Sequence, residues 1–350
     1  MGRWGPAPWV AMALSCAPRT ASAYCRGTTQ APPPGYDPSQ QGCYAGDPSV
    51  GPNLLLFWQN RCVSYSLQTD ASSQMPLTLV RAIAQQAFSA WSDVPCGDAG
   101  GAATITAVEM EPIGALGVDC DEVQFNPYGP NQHVIVFRDE AWPHDDSANT
   151  LGFTTVTYDV GTGEIRDADM EINSHDFVLV PTPPAPAGTV DLLTIMTHEA
   201  GHFLGLGHSG DLTAMMYASY HAGAWLTQDD VDGLCSIYFP DGTRSTSAGA
   251  VPNGACDPTP ARGLTSECAP EELDGAVIPP PEDAASDVSN APVTSSAPAL
   301  DTAAPGCATV GARATPRGVV AGAGILALGC LARGAGRGRR QRRRDRSYSA

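Results

Sequence analysis

Between residues 60 and 205, apolar residues with different spacings predict an alternation of strands and helices. Alternating or β-branched runs are typical of strands, whereas apolar residues three and four apart indicate helices. The predicted strands cover residues 61–67, 103–108, 133–137, 151–158 and 165–172. The predicted helices cover residues 77–91 and 191–204, and residues 159–163 form a turn between the last two strands. The second of these helices carries most of the chemistry of the chain.

This second helix contains a group of histidines and a glutamate at fixed spacing. His198, Glu199, His202 and His208 follow the pattern H-E-x-x-H-x-x-G-x-x-H, in which Gly205 is the glycine. Residues four apart share a helix face, so His198 and His202 point the same way. Gly205 can adopt positive φ, which lets the helix end and the chain return His208 as a third ligand. The spacing therefore predicts a zinc ion with three protein ligands and a fourth position for water.

Such a site has the parts needed to hydrolyse a peptide bond. Zinc lowers the pKa of a bound water to about 7. Glu199 is offset from the two helical histidines, so it is a general base rather than a ligand and can pass the proton to the leaving amine. The opposing interpretation is a set of ordinary buried histidines, because H-E-x-x-H alone arises by chance. Five fixed positions in eleven residues, holding three of the seven histidines, favour the zinc site.

With its flanks, the motif resembles that of the metzincins, and in particular the matrixin branch of matrix metalloproteinase-like enzymes. Ser209 directly follows the third histidine, and Met216 is similar to the residue of the methionine turn beneath the zinc. Residues 226–234 resemble the start of the family's C-terminal helix, and residues 87–94 the end of its first helix. The resemblance covers residues 53–240. It implies an α+β fold with a twisted mixed β-sheet, a backing helix, the active-site helix and a small C-terminal subdomain.

The resemblance also implies where a substrate would bind. In the family, the last strand before the active-site helix borders the cleft, and an extended peptide would pair with it as an added strand. Tyr217 and Tyr220 lie where matrixins have the wall of the pocket beside the scissile bond. The alternative is that both tyrosines are half-buried core aromatics. Ala218 stands where many members have proline, and no side-chain preference follows from the loop at 212–227.

Two further features concern other metals. Animal matrixins hold a structural zinc with three histidines and an aspartate. His144 resembles the first of these ligands, but Phe153 and Asp169 occupy the next two histidine positions, so no structural zinc is expected. Asp167, Asp169 and Glu171 form an acidic ladder on one face of a strand. Their oxygen atoms suit calcium. The alternative, which we favour, is a solvated acidic edge that blocks strand pairing.

The cysteines indicate an oxidising compartment. Eight of the eleven remain once Cys16, Cys307 and Cys330 at the two ends are set aside, and an even set in an exported chain predicts disulfides. These are Cys25, Cys43, Cys62, Cys96, Cys120, Cys235, Cys256 and Cys268. Nearness in sequence favours the pairs 96–120 and 256–268, and there is no C-x-x-C pair to support cysteine-bound zinc.

The autoinhibitory cysteine segment of animal matrixin precursors has a superficial counterpart in Pro95-Cys96-Gly97. This segment follows the first helix of the catalytic domain instead of lying in an N-terminal propeptide. Cys96 is therefore predicted to be half of a disulfide. How activity is restrained stays open at this stage.

The N-terminal part predicts export. Residues 1–23 resemble a secretory signal, with Arg3, an apolar run and a cleavage site Ala21-Ser22-Ala23 before Tyr24. A lipoprotein signal ending at Cys16 fits less well. Residues 24–52 are predicted to be an N-terminal extension linked by disulfides, and residues 53–240 the catalytic domain. Residues 241–305 are rich in Pro, Ala, Ser, Thr, Asp and Gly, so a disordered linker is expected there.

The C-terminal part, residues 306–350, combines Gly306-Cys307, an uncharged apolar segment at 318–332 and an arginine cluster. This order resembles the sorting tails of the myxobacterial type (MYXO-CTERM). The resemblance implies a bacterial surface protein whose tail is cut near Cys307, with a lipid on that cysteine. The alternative is a simple membrane anchor whose basic end is cytoplasmic, although the apolar segment is shorter than the ~20 residues of a typical span.

Charge excludes some functions. The chain has a net charge of −18 and no lysine. Residues 333–350 carry eight arginines and one aspartate, so the rest of the chain carries −25. An acidic body without a basic stripe argues against binding to nucleic acid, and it leaves protein or peptide substrates as partners. Two hypotheses remain: a zinc-dependent endopeptidase, and a non-catalytic surface binding or adhesion module on a metzincin scaffold. The intact Glu199 favours the endopeptidase, because zinc binding alone does not need that carboxylate.

Overall fold

The structure is a computed structural model. It describes residues 23–268, apart from 93, 98, 99, 113–116, 145 and 224, together with the strand at 323–331. The predicted signal peptide up to residue 22, the linker from residue 269 to 305 and the rest of the C-terminal tail, including Cys307, lie outside the described residues.

A mixed sheet of six strands forms the centre of the fold, in the order β12-β6-β7-β5-β1-β4. Its strands are β1 (Cys62–Leu67), β4 (Thr106–Glu109), β5 (Val134–Phe137), β6 (Thr150–Asp159), β7 (Ile165–Ile172) and β12 (Ala323–Leu331). Strands β4, β1, β5 and β7 run parallel to one another, whereas β6 pairs antiparallel with β7 and β12 antiparallel with β6. Strands β1 and β5 are buried along their whole length, which explains the continuous apolar run of β5.

Two long helices cover one face of this sheet. They are α2 (Leu77–Ser92) and α3 (Leu192–Phe203), and the shorter helices are α1 (Pro38–Gln41) and α4 (Gln228–Cys235). Trp91 is fully buried between α2 and α3, and its Nε1 donates a hydrogen bond to the carbonyl of Thr197 at 2.8 Å. The small two-stranded pairs are β2 (Pro95–Cys96) with β3 (Gly101–Ala102), β8 (Leu179–Val180) with β9 (Val190–Asp191), and β10 (Thr243–Thr246) with β11 (Gly249–Pro252).

The α+β architecture predicted from the sequence is confirmed. The predicted strand at 165–172 has the bounds of β7, and the helix predicted at 191–204 is α3 with its two capping residues. The predicted position of the cleft strand is wrong. The strand β7 pairs on both sides, so it lies inside the sheet, and the hairpin turn at 159–163 places β6 next to it on the outer side.

The domain extends further than predicted. Residues 243–252 form the β10–β11 hairpin inside the range expected to be linker, and Arg244 of this hairpin is fully buried. Its guanidinium donates hydrogen bonds to the carbonyls of Trp58, Asn60 and Thr104 at 2.7–3.0 Å. The composition of this segment offered few apolar residues to bury. It is held instead by a buried cation with several acceptors and by disulfides.

Four disulfides use the eight predicted cysteines. They are Cys25–Cys43, Cys62–Cys256, Cys96–Cys235 and Cys120–Cys268. Both pairs predicted from nearness in sequence are wrong, since the sheet brings segments 139 to 194 residues apart together at three of the bridges. The N-terminal extension closes its own loop through Cys25 and Cys43.

The apolar segment of the tail, predicted at 318–332, contains strand β12. No helix among the described residues is long and apolar enough to cross a membrane. The strand pairs with β6 from Thr150 to Asp159.

Candidate active site

Helix α3 begins at a side-chain cap and is buried all round. The carboxylate of Asp191 accepts the backbone N–H of Thr194 at 2.8 Å, which satisfies one of the free N–H groups of the first turn. The same carboxylate accepts the hydroxyl of Tyr220 at 2.7 Å. All residues from Leu192 to Phe203 are buried. The helix therefore has no freedom to tilt without disturbing the core.

The helix ends at the glycine that the motif requires. Gly205 has φ of 94°, and its N–H donates to the carbonyl of His202 at 2.9 Å. The reversal brings Nε2 of His208 to 3.2 Å from Nε2 of His202. Ligand nitrogens of His198, His202 and His208 all lie within 4.8 Å of one another. In the part of the chain that the structure describes, this is the one group of three metal-binding side chains that meet so closely.

Hydrogen bonds from the backbone orient two of these imidazoles. Nδ1 of His198 lies 2.7 Å from the carbonyl of Met215, and Nδ1 of His202 lies 2.9 Å from the carbonyl of Leu206. A carbonyl can only accept, so Nδ1 carries the proton in both rings and Nε2 presents a lone pair. Burial lowers the pKa of His198 to about 4 and lowers that of His202 as well, which keeps both rings neutral.

These nitrogens fit a zinc ion. Nε2 of His198 is buried and has no hydrogen-bond partner, a state that costs free energy unless a ligand satisfies it. Zinc prefers three neutral imidazoles at a catalytic site, with one position left open. The donor set and the orphaned nitrogen therefore match this metal.

Glu199 is fully buried beside the histidines and against strand β6. Its Oε2 accepts the hydroxyl of Thr154 at 2.7 Å. A Cβ on Gly152 would come within 2.9 Å of its Oε1, so only glycine leaves room for the carboxylate there. Strand β6 thus forms the wall that holds Glu199 in place. The role of Thr154 could not be predicted from the sequence, because threonine is common in strands.

The methionine turn lies beneath the helix. Met215 and Met216 are buried, and their backbone N–H groups donate to the two oxygens of Asp230 at 2.8 and 2.9 Å. A Cβ on Gly201 would lie 2.2 Å from Sδ of Met216, so this sulfur packs directly on the glycine between two ligands. Because the carbonyl of Met215 orients His198, the carboxylate of Asp230 acts on the metal site through the turn.

The N-terminal extension clamps the loop of the third histidine. Asp229 accepts the hydroxyl of Ser209 at 2.6 Å and the backbone N–H of Tyr24, the first residue of the extension, at 2.9 Å. It also accepts the backbone N–H of Ala23, the last residue of the predicted signal, at 2.8 Å. Backbone hydrogen bonds also join residues 23–27 to residues 205–210. Sequence reasoning assigned neither Asp229 nor Asp230. The available signal was the pair of aspartates that opens α4 after Thr227.

A shallow pocket opens beside His198. It encloses about 190 Å³, a volume that includes solvent at its mouth. Tyr217 and Tyr220 both line this pocket, and both are half-buried. Lining a pocket and being a half-buried aromatic are therefore compatible for these two residues. The other lining residues are Thr194, Ile195, Met215, Ser219 and His221. The sequence analysis did not select His221, because it lies in the loop at 212–227 and belongs to no motif.

The acidic ladder lies on β7 and forms no part of the three-histidine group. Asp167, Asp169 and Glu171 are all buried, so the favoured interpretation of a solvated edge is wrong, because β7 is an inner strand. Glu171 is paired with Arg138 at 2.5 Å and with Nε2 of His144 at 2.8 Å. Burial raises the pKa of Asp167 and of Asp169. Calcium at this ladder stays a prediction.

Comparison with known proteins agrees with this arrangement. Residues 123–239 match the sequence model of the Matrixin family, peptidase M10. Over these residues the fold and the three-histidine site are similar to a matrix metalloproteinase-like catalytic domain, and that family implies a catalytic zinc.

Individual relatives are similar over shorter stretches. Rabbit (Oryctolagus cuniculus) interstitial collagenase is 41% identical over 69 residues, which cover 19% of this chain and 15% of the collagenase. Human matrilysin is 35% identical over 112 residues, covering 31% of this chain and 38% of matrilysin. Metalloendoproteinase 1-MMP of Arabidopsis thaliana is 47% identical over 55 residues, 15% of either chain. The chain therefore spans less than two fifths of the length of these relatives.

Proposed function

We propose that this protein is an exported zinc-dependent endopeptidase. The observation that carries the proposal is the convergence of His198, His202 and His208 within 4.8 Å beside the buried carboxylate of Glu199. Bound zinc would polarise a water molecule and the scissile carbonyl. Neither the histidines nor the glutamate has another evident task in the described residues.

Glu199 acts as the general base in this proposal. Its carboxylate takes the proton of the attacking water and passes it to the nitrogen of the leaving amine. The hydroxyl of Thr154 donates a hydrogen bond to Oε2 at 2.7 Å, which holds the carboxylate against strand β6. Met216 supports the site from below by packing on Gly201.

The substrate is proposed to be a protein or peptide in extended form. Strand β6 borders the site through Gly152 and Thr154, and an extended backbone can add to its outer edge as a further strand. Tyr217 and Tyr220 form a wall of the pocket that receives the side chain next to the cleaved bond. Because this pocket is small, we expect preference for small side chains at that position.

Export and attachment to a bacterial surface complete the proposal. Four disulfides support an oxidising compartment. The Ala21-Ser22-Ala23 signal and the arginine-rich tail after residue 332 support secretion followed by attachment through the tail, with processing near Cys307. Calcium at Asp167 and Asp169 is a further proposed ligand, supported by their oxygen donors.

The test compares the full chain with Glu199→Gln, with His202→Ala, and with Glu140→Gln as a matched control on an exposed glutamate. We expect cleavage of a quenched fluorescent protein substrate to fall by ~10²–10⁴-fold in Glu199→Gln. Zinc content should stay at one per chain there and be lost in His202→Ala. Equal activity in wild type and Glu199→Gln would refute the catalytic role, and zinc without cleavage of varied substrates would favour a binding module.

A further inference from the structure

The outer edge of β6 is covered by the chain's own C-terminal tail. Strand β12 pairs antiparallel with β6 in continuous register from Ala323 opposite Asp159 to Cys330 opposite Gly152. On its other side β6 pairs with β7, so β12 is the element that completes the hydrogen bonding of this edge. Without β12, the sheet would present a row of free N–H and C=O groups along ten residues.

This edge lies directly at the proposed catalytic carboxylate. Gly152 and Thr154 contact Glu199, and the register places the backbone of Cys330 opposite Gly152 and that of Leu328 opposite Thr154. Strand β12 also runs past helix α3. The C-terminal end of β12 therefore pairs with the same part of β6 that an extended substrate would use.

We infer that the tail segment 323–331 is an intramolecular competitor for the substrate-binding edge of β6, so the protein is restrained until this strand leaves. The inference rests on the proposed function. An extended peptide and β12 would make the same backbone hydrogen bonds to β6, and both cannot be present at once.

The sequence of the segment suits this task. AGILALGCL carries no charge and no proline, so each of its backbone N–H groups can donate to a neighbouring strand. Cys268, which the disulfide to Cys120 fastens to the domain, is separated from Ala323 by 54 residues, enough to reach any edge of the fold. The net charge of +7 on residues 333–350, against −25 on the rest, favours keeping the tail on the body.

Release of the strand then becomes the activating step. The same apolar segment is the one proposed to enter a membrane or to be removed with the tail, and neither state leaves it on β6. Surface attachment or processing would therefore expose the edge, whereas the full chain before that step would keep it covered.

The test uses the purified full chain, checked by mass to retain residue 350, and the variant Leu326→Pro/Ala327→Pro. Adjacent residues of an antiparallel pair alternate in their hydrogen bonding, so one of the two prolines must remove a donor to β6. The matched control is Ala335→Pro/Gly336→Pro, which lies beyond the strand. A tethered segment has an effective concentration of about 1 mM, so a strand that binds with Kd near 0.1 mM would raise KM on the order of tenfold.

We expect the variant to lower KM for an extended peptide substrate by about tenfold with little change in kcat, and the control to match the wild type. A synthetic peptide of residues 318–332 should inhibit the variant competitively. Hydrogen exchange provides a readout without activity, because backbone amides of β6 should lose protection in the variant alone.

Each result is decisive for one claim. Equal exchange of β6 in wild type and variant would refute the pairing. Altered exchange with an unchanged KM would refute the competition. If wild type and variant both hold zinc, differ in exchange and cleave nothing, the proposed function fails and the competition with it, whereas the pairing of the tail stands.

Discussion

The contact between Gly201 and the methionine turn predicts that Gly201→Ala damages both stability and zinc binding. The new Cβ would lie 2.2 Å from Sδ of Met216 and 2.9 Å from Cζ2 of Trp91. Ordinary carbon contacts are about 3.5–4.0 Å, so the sulfur must move by more than ~1 Å. Trp91 has little freedom to yield, because it is fully buried and its Nε1 is bound to the carbonyl of Thr197.

The magnitude follows from two opposing terms. Overpacking in a dense core costs about 1–3 kcal/mol. Alanine in place of glycine inside a helix stabilises by about 1 kcal/mol. We therefore expect a net loss of up to about 2 kcal/mol, together with weaker zinc binding, because displacement of Met216 moves the neighbouring carbonyl of Met215 that orients His198.

Urea unfolding of the metal-free protein and competition for zinc with a chelator measure the two effects. Met216→Ala removes the clashing side chain. In that background, Gly201→Ala should no longer destabilise the protein, and its effect should lie within about 0.5 kcal/mol of the stabilisation expected from the helix alone. A double-mutant cycle detects this difference. Ala82→Gly, on the exposed side of α2, calibrates that helix term alone. The reasoning is refuted if Gly201→Ala stabilises the protein by the full helix term, or if its effect on stability is the same with and without Met216.

Three further changes have defined outcomes. Asp169→Asn keeps a hydrogen-bond acceptor and removes a buried acid whose pKa is raised by burial. The folded wild type must lose a proton from this acid as the pH rises from about 4 through its raised pKa, so it should lose stability relative to the variant over that range. Thermal melts of both proteins from pH 4 to 8 measure the difference. Asp229→Ala should cost about 1–2 kcal/mol and expose residues 24–27 to hydrogen exchange, because the hydroxyl of Ser209 and the N–H of Tyr24 lose their acceptor. Replacing both Cys62 and Cys256 by alanine should cost about 2–5 kcal/mol in urea unfolding and open the β10–β11 hairpin to proteolysis.

Matched measurements separate these effects from general damage. Asp257→Asn, on a carboxylate near the protein surface, should show no comparable change of stability with pH. If residues 24–27 stay protected from hydrogen exchange in Asp229→Ala, Asp229 does not hold the N-terminal extension in place. A double cysteine variant that resists protease at the hairpin as well as the wild type does would show that Arg244 alone secures it.

The sequence predicted the elements well where local pattern decides them. The helix α3 and the strand β7 follow from apolar spacing, and the turn at Gly205 follows from the need for positive φ. The order of strands and the disulfides were not accessible in the same way, since both depend on contacts between distant segments. Composition misplaced the end of the domain, because Arg244 and Cys256 hold a segment that has few apolar residues.

The candidate site shows the same division. The three histidines and Glu199 stand at fixed spacing on one helix and its turn, so the sequence alone located them. Asp229, Asp230 and Thr154 reach the site from other elements, and their residue types are common on any surface or strand. Their importance comes only from the hydrogen bonds that the fold lets them make.

The clamp of the N-terminal extension on the loop of His208 has a consequence for the order of assembly. Tyr24, the first residue after the predicted cleavage site, is made early, yet its backbone N–H binds Asp229, more than 200 residues later in the chain. Contacts this distant in sequence form late, because the whole intervening chain must be present first. We therefore expect the third histidine to be secured only when nearly the entire domain has been made. In the proposed export, a chain still crossing the membrane would therefore lack a finished metal site.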